Sequence, residues 1–168
     1  MLNFILIFDL DDTIYQKHGV VADDYSGIEN IRLYPGAREF LEYCQDKFFL
    51  ILVTKGDSAI QNKKIDLLKI REQFKQIMIC KDGENGEDKK SCFLKIKKEF
   101  PESKIVVIGD KLQEEIRYGN ELGMITIRIK KGKYEHEFPQ EESEIPKYVI
   151  NDIITLEKLL NVIIASIK

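Results

Sequence analysis

Short apolar runs alternate along this chain with segments of helical periodicity, and this alternation constrains the fold more than any other feature. Apolar runs too short for helices predict strands over residues 2–8, 48–53, 76–80, 104–108, 125–129 and 148–150. Amphipathic segments predict a helix that begins near Pro35-Gly36 and four more: from Asp57 or Ser58 to about Arg71, over 89–100, over about 112–122 and over about 153–167. Such alternation is typical of a parallel sheet with right-handed crossovers. The expected fold is α/β: a Rossmann-like three-layer sandwich around a mostly parallel central sheet.

The length and charge of the chain narrow the class of protein further. With 168 residues, a single domain over 1–168 is expected, which buries roughly 70% of its unfolded surface. The net charge is -3, and acids and bases are interspersed, so we expect no nucleic-acid partner and no anionic membrane surface. No segment approaches the roughly 18–20 apolar residues that span a bilayer.

The N-terminus and the cysteines bear on the compartment. The first apolar run reaches Asp9 without a preceding basic region or a small-residue cleavage site, so it does not resemble a signal peptide. The three cysteines, Cys44, Cys80 and Cys92, are widely spaced and form no CxxC motif. Unpaired thiols are typical of a reducing compartment, and a cytoplasmic protein is the expectation.

The stretch FDLDDT, residues 8–13, follows the first predicted strand directly. It places the carboxylates of Asp9, Asp11 and Asp12 within four positions. Like charges held so close repel one another, and each loses favourable hydration when it is buried. This arrangement therefore indicates that a positive charge lies among them.

Two further polar clusters follow predicted strands. One is Thr54-Lys55-Gly56, and the other is Gly109-Asp110 with Glu114 and Glu115 in the next helix. Ligands of open α/β sheets bind outside the carboxyl ends of the strands, so we expect the three clusters to meet there. Several carboxylates without His or Cys favour a hard cation, and oxygen ligation suits Mg²⁺. A phosphate group can share such a cation.

These motifs resemble those of the haloacid dehalogenase superfamily, on its phosphatase side. The matching segments are IFDLDDT, LVTKG, a lysine at 89 or 90, and VVIGD followed by Glu115. YPGAREFLEYC and GNELGMITIRIKKGKY look like the same family. The resemblance covers residues 4 to about 160.

The resemblance implies a Mg²⁺-dependent phosphatase that hydrolyses a phosphate monoester. Asp9 would be the nucleophile that forms an aspartyl-phosphate, and Asp11 the general acid and base. Thr54, Lys55, Gly56 and a lysine would bind the substrate phosphate. The implied metal ligands are Asp9, Asp11 (through its carbonyl), Asp110 and Glu115.

Two positions are open. The catalytic lysine is Lys90 or Lys89, and we favour Lys90 because Phe93 and Leu94 follow it three and four residues later. The second acid of the last motif is Glu115, counted back from GNELG, with Glu114 as the alternative.

The chain has little room for a cap over the site. About twenty residues separate Thr13 from Pro35, so residues 15–34 are predicted to form a minimal cap or loop insertion. Residues 57–89 are accounted for by a helix, a strand and a loop. An open site without a large cap suits a phosphorylated small molecule or an exposed phosphate on a larger molecule. The C-terminal helix is apolar on a wide arc and could also provide a homodimer face.

Three other readings compete with the phosphatase. A dehalogenase is disfavoured because halide departure needs no acid such as Asp11. A receiver-like phospho-accepting signalling domain uses similar residue types but places its acceptor on a later strand. A catalytically weak binding protein that retains the motifs is the remaining alternative.

Overall fold

Six parallel strands form one sheet in the computed structural model, which describes residues 4–81 and 88–167. The strands are β1 (Phe4–Phe8), β2 (Phe49–Lys55), β3 (Gln76–Cys80), β4 (Lys104–Gly109), β5 (Ile125–Ile129) and β6 (Tyr148–Ile150). Their order across the sheet is β3-β2-β1-β4-β5-β6, and every neighbouring pair is parallel. The predicted α/β, Rossmann-like fold is confirmed. The first two residues of the predicted strand over 2–8 lie outside the described ranges.

Strand β1 lies between β2 and β4 in the middle of the sheet. Its Ile7 is paired with Ile51 of β2 on one side and Val107 of β4 on the other. All five residues of β1 are buried, because helices cover both faces of the sheet. The carboxyl ends of β1, β2 and β4 therefore lie side by side.

The helices in the described ranges are α1 (Ala37–Gln45), α2 (Ser58–Leu68), α3 (Lys89–Glu99), α4 (Arg117–Glu121) and α5 (Leu156–Ile167). The Asp57 and Asp88 carboxylates accept hydrogen bonds from the first turns of α2 and α3, at 3.0 and 2.8 Å. Each thereby satisfies a backbone N–H that has no partner within its helix. None of these helices has the length and apolar character that crossing a bilayer requires.

The helix predicted over residues 112–122 is divided in two. Leu112–Ile116 form a π-helical turn, and α4 follows at Arg117. A π turn holds more residues per turn than an α-helix, which changes the direction of the side chains it carries. This difference from the prediction affects the two glutamates at 114 and 115.

Apolar side chains pack on both faces of the sheet. Phe8, Leu41 and Leu160 belong to a cluster that joins one face to α1 and α5. Ile7 and Phe93 belong to a second cluster, on the face covered by α3 and α4. Neighbouring residues of β1 thus contribute to opposite clusters, as the alternation of side chains along a strand requires.

Residues 15–34 connect β1 to α1 across the carboxyl edge of the sheet. Tyr15 forms isolated bridges with Asp11 and Leu33 at the base of this segment. A single 3-10 turn, Ile28–Asn30, is the regular element within it. Ile28 and Ile31 are buried against the larger apolar cluster, which ties the segment to the body of the fold.

Candidate active site

The polar clusters that follow β1, β2 and β4 meet at the carboxyl edge of the sheet. Asp9 comes directly after β1, and its backbone N–H donates to the carbonyl of Ile108 at 3.0 Å. Thr54 lies near the end of β2, and Asp110 directly follows β4. All three side chains are buried and line one cavity of about 310 Å³. The sequence-based expectation that these strand ends converge is therefore met.

Three of the predicted acids form a compact cluster. One carboxylate oxygen each from Asp9, Asp110 and Glu115 lies within 4.8 Å of the other two. The π turn brings Glu115 toward β4, where a Cβ at position 109 would overlap the Glu115 side chain. Gly109 is therefore required by this close approach. The backbone N–H of Lys111 donates to Glu115 Oε2 at 3.1 Å and fixes its orientation.

Lys89 provides the positive charge of this cluster. Its Nζ donates to Asp9 Oδ1 at 2.6 Å and to Glu115 Oε1, and its side chain is 5% exposed. The hydroxyl of Thr13 lies 3.4 Å from the second oxygen of Asp9. The Asp9 carboxylate thus has a cation on one oxygen and a neutral donor near the other.

The structure places Lys89 in this cluster and the preferred candidate, Lys90, outside it. Lys90 Nζ pairs with Glu121 at 2.6 Å, its side chain is 47% exposed, and it does not line the cavity. The buried face of α3 consists of residues 89, 92, 93 and 96, at helical spacing. Leu94, which suggested the other register, is 40% exposed.

Burial of so many acids perturbs their protonation. Burial raises the pKa of Asp9 from 3.8 to about 7, against the opposing charge of Lys89, and Glu115 and Asp11 add to the rise. Burial also raises the pKa of Asp110 well above its usual range, and the charges of Asp9 and Glu115 add to it. One lysine therefore does not balance the cluster, and a cation among these oxygens would be favoured. The all-oxygen donor set fits Mg²⁺.

Asp11 lies in a different environment from Asp9. Lys64 Nζ is 2.8 and 3.1 Å from its two carboxylate oxygens, Tyr15 donates its hydroxyl to Oδ1, and Lys17 Nζ lies 3.7 Å from Oδ2. Burial acts to raise the pKa of Asp11, but the charge and hydrogen bond of Lys64 outweigh it and the pKa lies below its usual range. The Asp11 side chain is not part of the three-carboxylate cluster.

Thr54 is held by a residue of α2. Its Oγ1 accepts a hydrogen bond from Gln61 Nε2 at 2.6 Å, and Gln61 also donates to the carbonyl of Lys55 at 3.1 Å. The Thr54 hydroxyl proton is thereby directed away from Gln61 and is available to an acceptor in the cavity. A carboxylate cluster, a lysine and a hydroxyl donor together form a site that can hold a phosphate group beside a cation.

A family model described as haloacid dehalogenase-like hydrolase matches residues 22–123, which is more than half of the chain. The chain belongs to this hydrolase family. The resemblance seen in the sequence is confirmed, and a receiver-type fold is set aside.

Two curated relatives of this hydrolase carry a more specific name. A glyceraldehyde 3-phosphate phosphatase from Methanopyrus kandleri is 39% identical over 46 residues, 27% of this chain and 20% of that protein. A protein of the same name from Methanocaldococcus jannaschii is 40% identical over 58 residues, 34% of this chain and 23% of that protein. The hydrolase therefore matches about a fifth of the length of these relatives.

Solved structures show the same fold along nearly the whole chain. A D,D-heptose 1,7-bisphosphate phosphatase from B. bronchiseptica, complexed with magnesium and phosphate, has a TM-score of 0.73 at 17% identity, and 94% and 98% of the two chains are covered. A 2-haloacid dehalogenase from Pseudomonas syringae has a TM-score of 0.69 at 13% identity, with 96% and 99% covered. At these identities the likeness shows the fold alone.

The remaining predicted residues of the hydrolase differ in their placement. Glu114 does not join the carboxylate cluster: its Oε1 pairs with Lys55 at 3.0 Å and Lys111 at 2.8 Å, so Glu115 is the acid placed there. Lys55 and Glu114 both line the cavity. Gly56 does not line it, and its N–H donates to the carbonyl of Cys80 at 3.0 Å.

Sequence reasoning missed three polar residues that support the hydrolase site. Gln61 and Lys64 lie on the buried face of α2. Because both are polar, the apolar pattern of the sequence does not distinguish them from solvent-facing residues. Arg128, at the end of β5, is 4% exposed and donates to the carbonyls of Asp110, Tyr134 and Glu137. For Arg128 a signal was available, because a charged residue inside a predicted buried strand rarely lies there without a partner.

Proposed function

We propose that the chain is a Mg²⁺-dependent phosphatase that hydrolyses phosphate monoesters through an aspartyl-phosphate on Asp9. The observation that carries this proposal is the cluster of Asp9, Asp110 and Glu115 around Lys89, with Thr54 beside it in the same cavity. The names of the two curated relatives support it, as do the magnesium and phosphate in the complex of the heptose bisphosphate phosphatase.

In the first step, a carboxylate oxygen of Asp9 attacks phosphorus and the bond from phosphorus to the ester oxygen breaks. Asp11 gives its proton to the departing alkoxide, which leaves as an alcohol. Lys89, already 2.6 Å from Asp9 Oδ1, compensates the negative charge of the nucleophile and of the phosphoryl group. The Thr54 hydroxyl donates to a phosphoryl oxygen.

In the second step, a water molecule attacks the phosphorus of the aspartyl-phosphate. Asp11, now ionised, takes the proton of this water, and the bond between phosphorus and Asp9 breaks. Inorganic phosphate leaves and the Asp9 carboxylate is restored. Lys64 and Tyr15 hold the Asp11 carboxylate, which keeps the base in one place for this step.

The carboxylates of Asp9, Asp110 and Glu115, with the carbonyl of Asp11, would hold Mg²⁺. When bound, the ion supplies positive charge that neutralises the acids and the phosphoryl oxygens. The residues present fit it, since they offer oxygen donors only and are short of positive charge. The removal of this charge by EDTA should stop hydrolysis.

Two wider predictions complete the proposal. The three cysteines, Cys44, Cys80 and Cys92, are buried as thiols, which supports a reducing, cytoplasmic setting. Homodimerisation through α5 stays a prediction: Val162 is its most exposed large apolar side chain, at 57%. Substrates are phosphorylated small molecules or exposed phosphates on larger ones.

The test is hydrolysis of p-nitrophenyl phosphate by the wild type and by Asp9→Asn, each with Mg²⁺ and with EDTA. Metal-dependent release by the wild type alone supports the proposed chemistry, with circular dichroism to confirm that the variant is folded. Hydrolysis by Asp9→Asn at the wild-type rate refutes the nucleophile. If the folded, Mg²⁺-loaded wild type releases no p-nitrophenol, the protein is treated with acetyl phosphate and analysed by mass spectrometry. A selective phosphatase yields a phosphorylated Asp9, whereas a binding protein without activity does not.

A further inference from the structure

Three basic side chains line the mouth of the active-site cavity without a role in the proposed chemistry. They are Lys17 and His18, from the segment between β1 and α1, and Lys133, from the connection after β5. Lys17 is 41% exposed at its side chain, and His18 and Lys133 are exposed. We refer to these three residues as the basic rim.

One side chain, Asp12, organises the segment that carries the first two rim residues. Its Oδ1 accepts hydrogen bonds from the backbone N–H groups of Lys17 and His18, each at 2.8 Å. Asp12 also has a φ of 56°, a left-handed conformation that is uncommon outside glycine. Such a conformation persists when the surrounding structure requires it, and here it points the carboxylate at the rim.

The third rim residue is anchored on the other side of the same carboxylate. Gly132 packs on Asp12 so closely that a Cβ at position 132 would overlap Cγ and Oδ2 of Asp12. Lys133 follows directly, and Arg128 fixes the next residues through the carbonyls of Tyr134 and Glu137, at 2.6 and 2.9 Å. Two segments distant in sequence are thus held against one side chain, and their basic residues are brought to one side of the cavity.

The charges around the mouth leave the basic rim available to a ligand. Lys55 and Lys111 share Glu114, and Lys17 is 3.7 Å from an Asp11 oxygen that Lys64 already binds. Among the residues that the structure describes, Lys133 has no carboxylate within ion-pair distance; it lies 5.6 Å from the Tyr134 ring. Asp23 is the acid at the same rim and opposes it in part.

We propose that the basic rim binds a second negatively charged group of the substrate, so that the preferred substrates are small phosphate monoesters that also carry a carboxylate or a second phosphate. This inference rests on the proposed function. A cavity of about 310 Å³ is at the small end for ligand sites and matches a metabolite of this kind. The acidic cluster repels a second anion, so its place is the rim.

The test measures binding of two phosphonates that cannot be hydrolysed, by calorimetry on the Mg²⁺-loaded protein. 3-Phosphonopropionate carries the second anion, and propylphosphonate of similar size lacks it. The wild type should bind 3-phosphonopropionate about tenfold more tightly, as charge-assisted contacts at a half-exposed site provide. Equal affinities for the two phosphonates would overturn the inference.

Variants assign the effect to the rim. The double substitution Lys17→Gln with Lys133→Gln should reduce the advantage to about twofold or less, while Asp23→Asn should increase it. Lys98→Gln, at the far end of α3, removes a lysine elsewhere and should leave the advantage at the wild-type value. An advantage that survives in the double variant overturns the assignment.

The phosphonate-binding test does not depend on whether the protein hydrolyses an ester. If p-nitrophenyl phosphate is hydrolysed but the two phosphonates bind alike, the phosphatase proposal stands and the rim proposal falls. If the second anion binds at the rim but no ester is hydrolysed, anion binding by the rim stands, while the phosphatase proposal and the substrate preference that rests on it fall. Failure of both phosphonates to bind overturns the rim proposal whatever the hydrolysis assay shows.

Discussion

Replacement of Lys89 by methionine should lower stability and activity much more than the same change at Lys90. Lys89 is buried between Asp9 and Glu115, whereas Lys90 makes an exposed pair with Glu121. Methionine keeps the length and the apolar stem of lysine and removes only the charge and its donors. The two substitutions therefore change the same chemistry at adjacent positions in different environments.

The expected size of the Lys89→Met effect follows from the burial of its partners. Removing one member of a buried ion pair costs roughly 3–5 kcal/mol, because the remaining charge is left in a poor solvent. Uptake of protons by Asp9 and Asp110 limits this loss, since the pKa of each rises further without the lysine. We expect about 3 kcal/mol for Lys89→Met in the metal-free protein, and at most about 1 kcal/mol for Lys90→Met.

The two variants should differ more in catalytic rate than in free energy of unfolding. Lys89 neutralises the proposed nucleophile and the phosphoryl group, and loss of one such donor lowers kcat by about 100- to 1,000-fold. Urea unfolding with EDTA and with Mg²⁺, together with p-nitrophenyl phosphate hydrolysis, gives both quantities. The reasoning is refuted if Lys89→Met stays within about 0.5 kcal/mol of the wild type and keeps its rate, or if Lys90→Met shows the larger loss.

Three other predictions follow from the same contacts. In the metal-free protein, the free energy of unfolding should fall as pH rises from about 4 through 7, because folding raises the pKa of Asp9 to about 7 and the unfolded chain releases this proton at lower pH. Bound Mg²⁺ should flatten this slope. A metal-free unfolding free energy that rises from pH 5 to 8 contradicts the prediction. Arg128→Lys should lower the free energy of unfolding in urea by about 2–3 kcal/mol, because lysine cannot satisfy all three carbonyls that the guanidinium binds. A loss below about 0.5 kcal/mol argues against that role. Gln61→Leu should lower kcat on p-nitrophenyl phosphate about tenfold with unfolding unchanged within about 1 kcal/mol, since the Thr54 hydroxyl loses its donor; an unchanged rate counts against it.

The fold was predictable because the sheet imposes its pattern on the sequence. The strands that are buried on both faces must be apolar throughout, so β1 and β2 stand out as continuous runs. The division of the helix over 112–122 was not predictable, because a π turn leaves the apolar positions of its sequence largely unchanged. Helix α2 ends at Leu68, short of the expected Arg71, because the backbone of Lys69 is left-handed. Lysine is not a residue type that signals this conformation in a sequence.

The positions of site residues were predictable where the sheet topology alone places them. They were less predictable where they depend on which face of a helix is buried. Asp9, Thr54 and Asp110 follow adjacent parallel strands, so their convergence depends only on topology. The choice between Lys89 and Lys90 depends on which side of α3 is buried, and Leu94 gave a false signal because it is an exposed apolar residue. Isolated apolar residues on a surface are common and carry little information about a helix face.

The two aspartates of the first motif, two residues apart, have environments opposite to those that their proposed roles require. Burial raises the pKa of Asp9, although a nucleophile must be ionised, while Lys64 lowers the pKa of Asp11, although a general acid must carry a proton. Both differences are corrected by ligands. A cation beside Asp9 favours its ionised form, and a negatively charged phosphate beside Asp11 favours its protonated form. In the proposed mechanism, the acids at the end of β1 are therefore closest to their catalytic protonation states when metal and substrate are both bound, which links the chemistry to the loaded site.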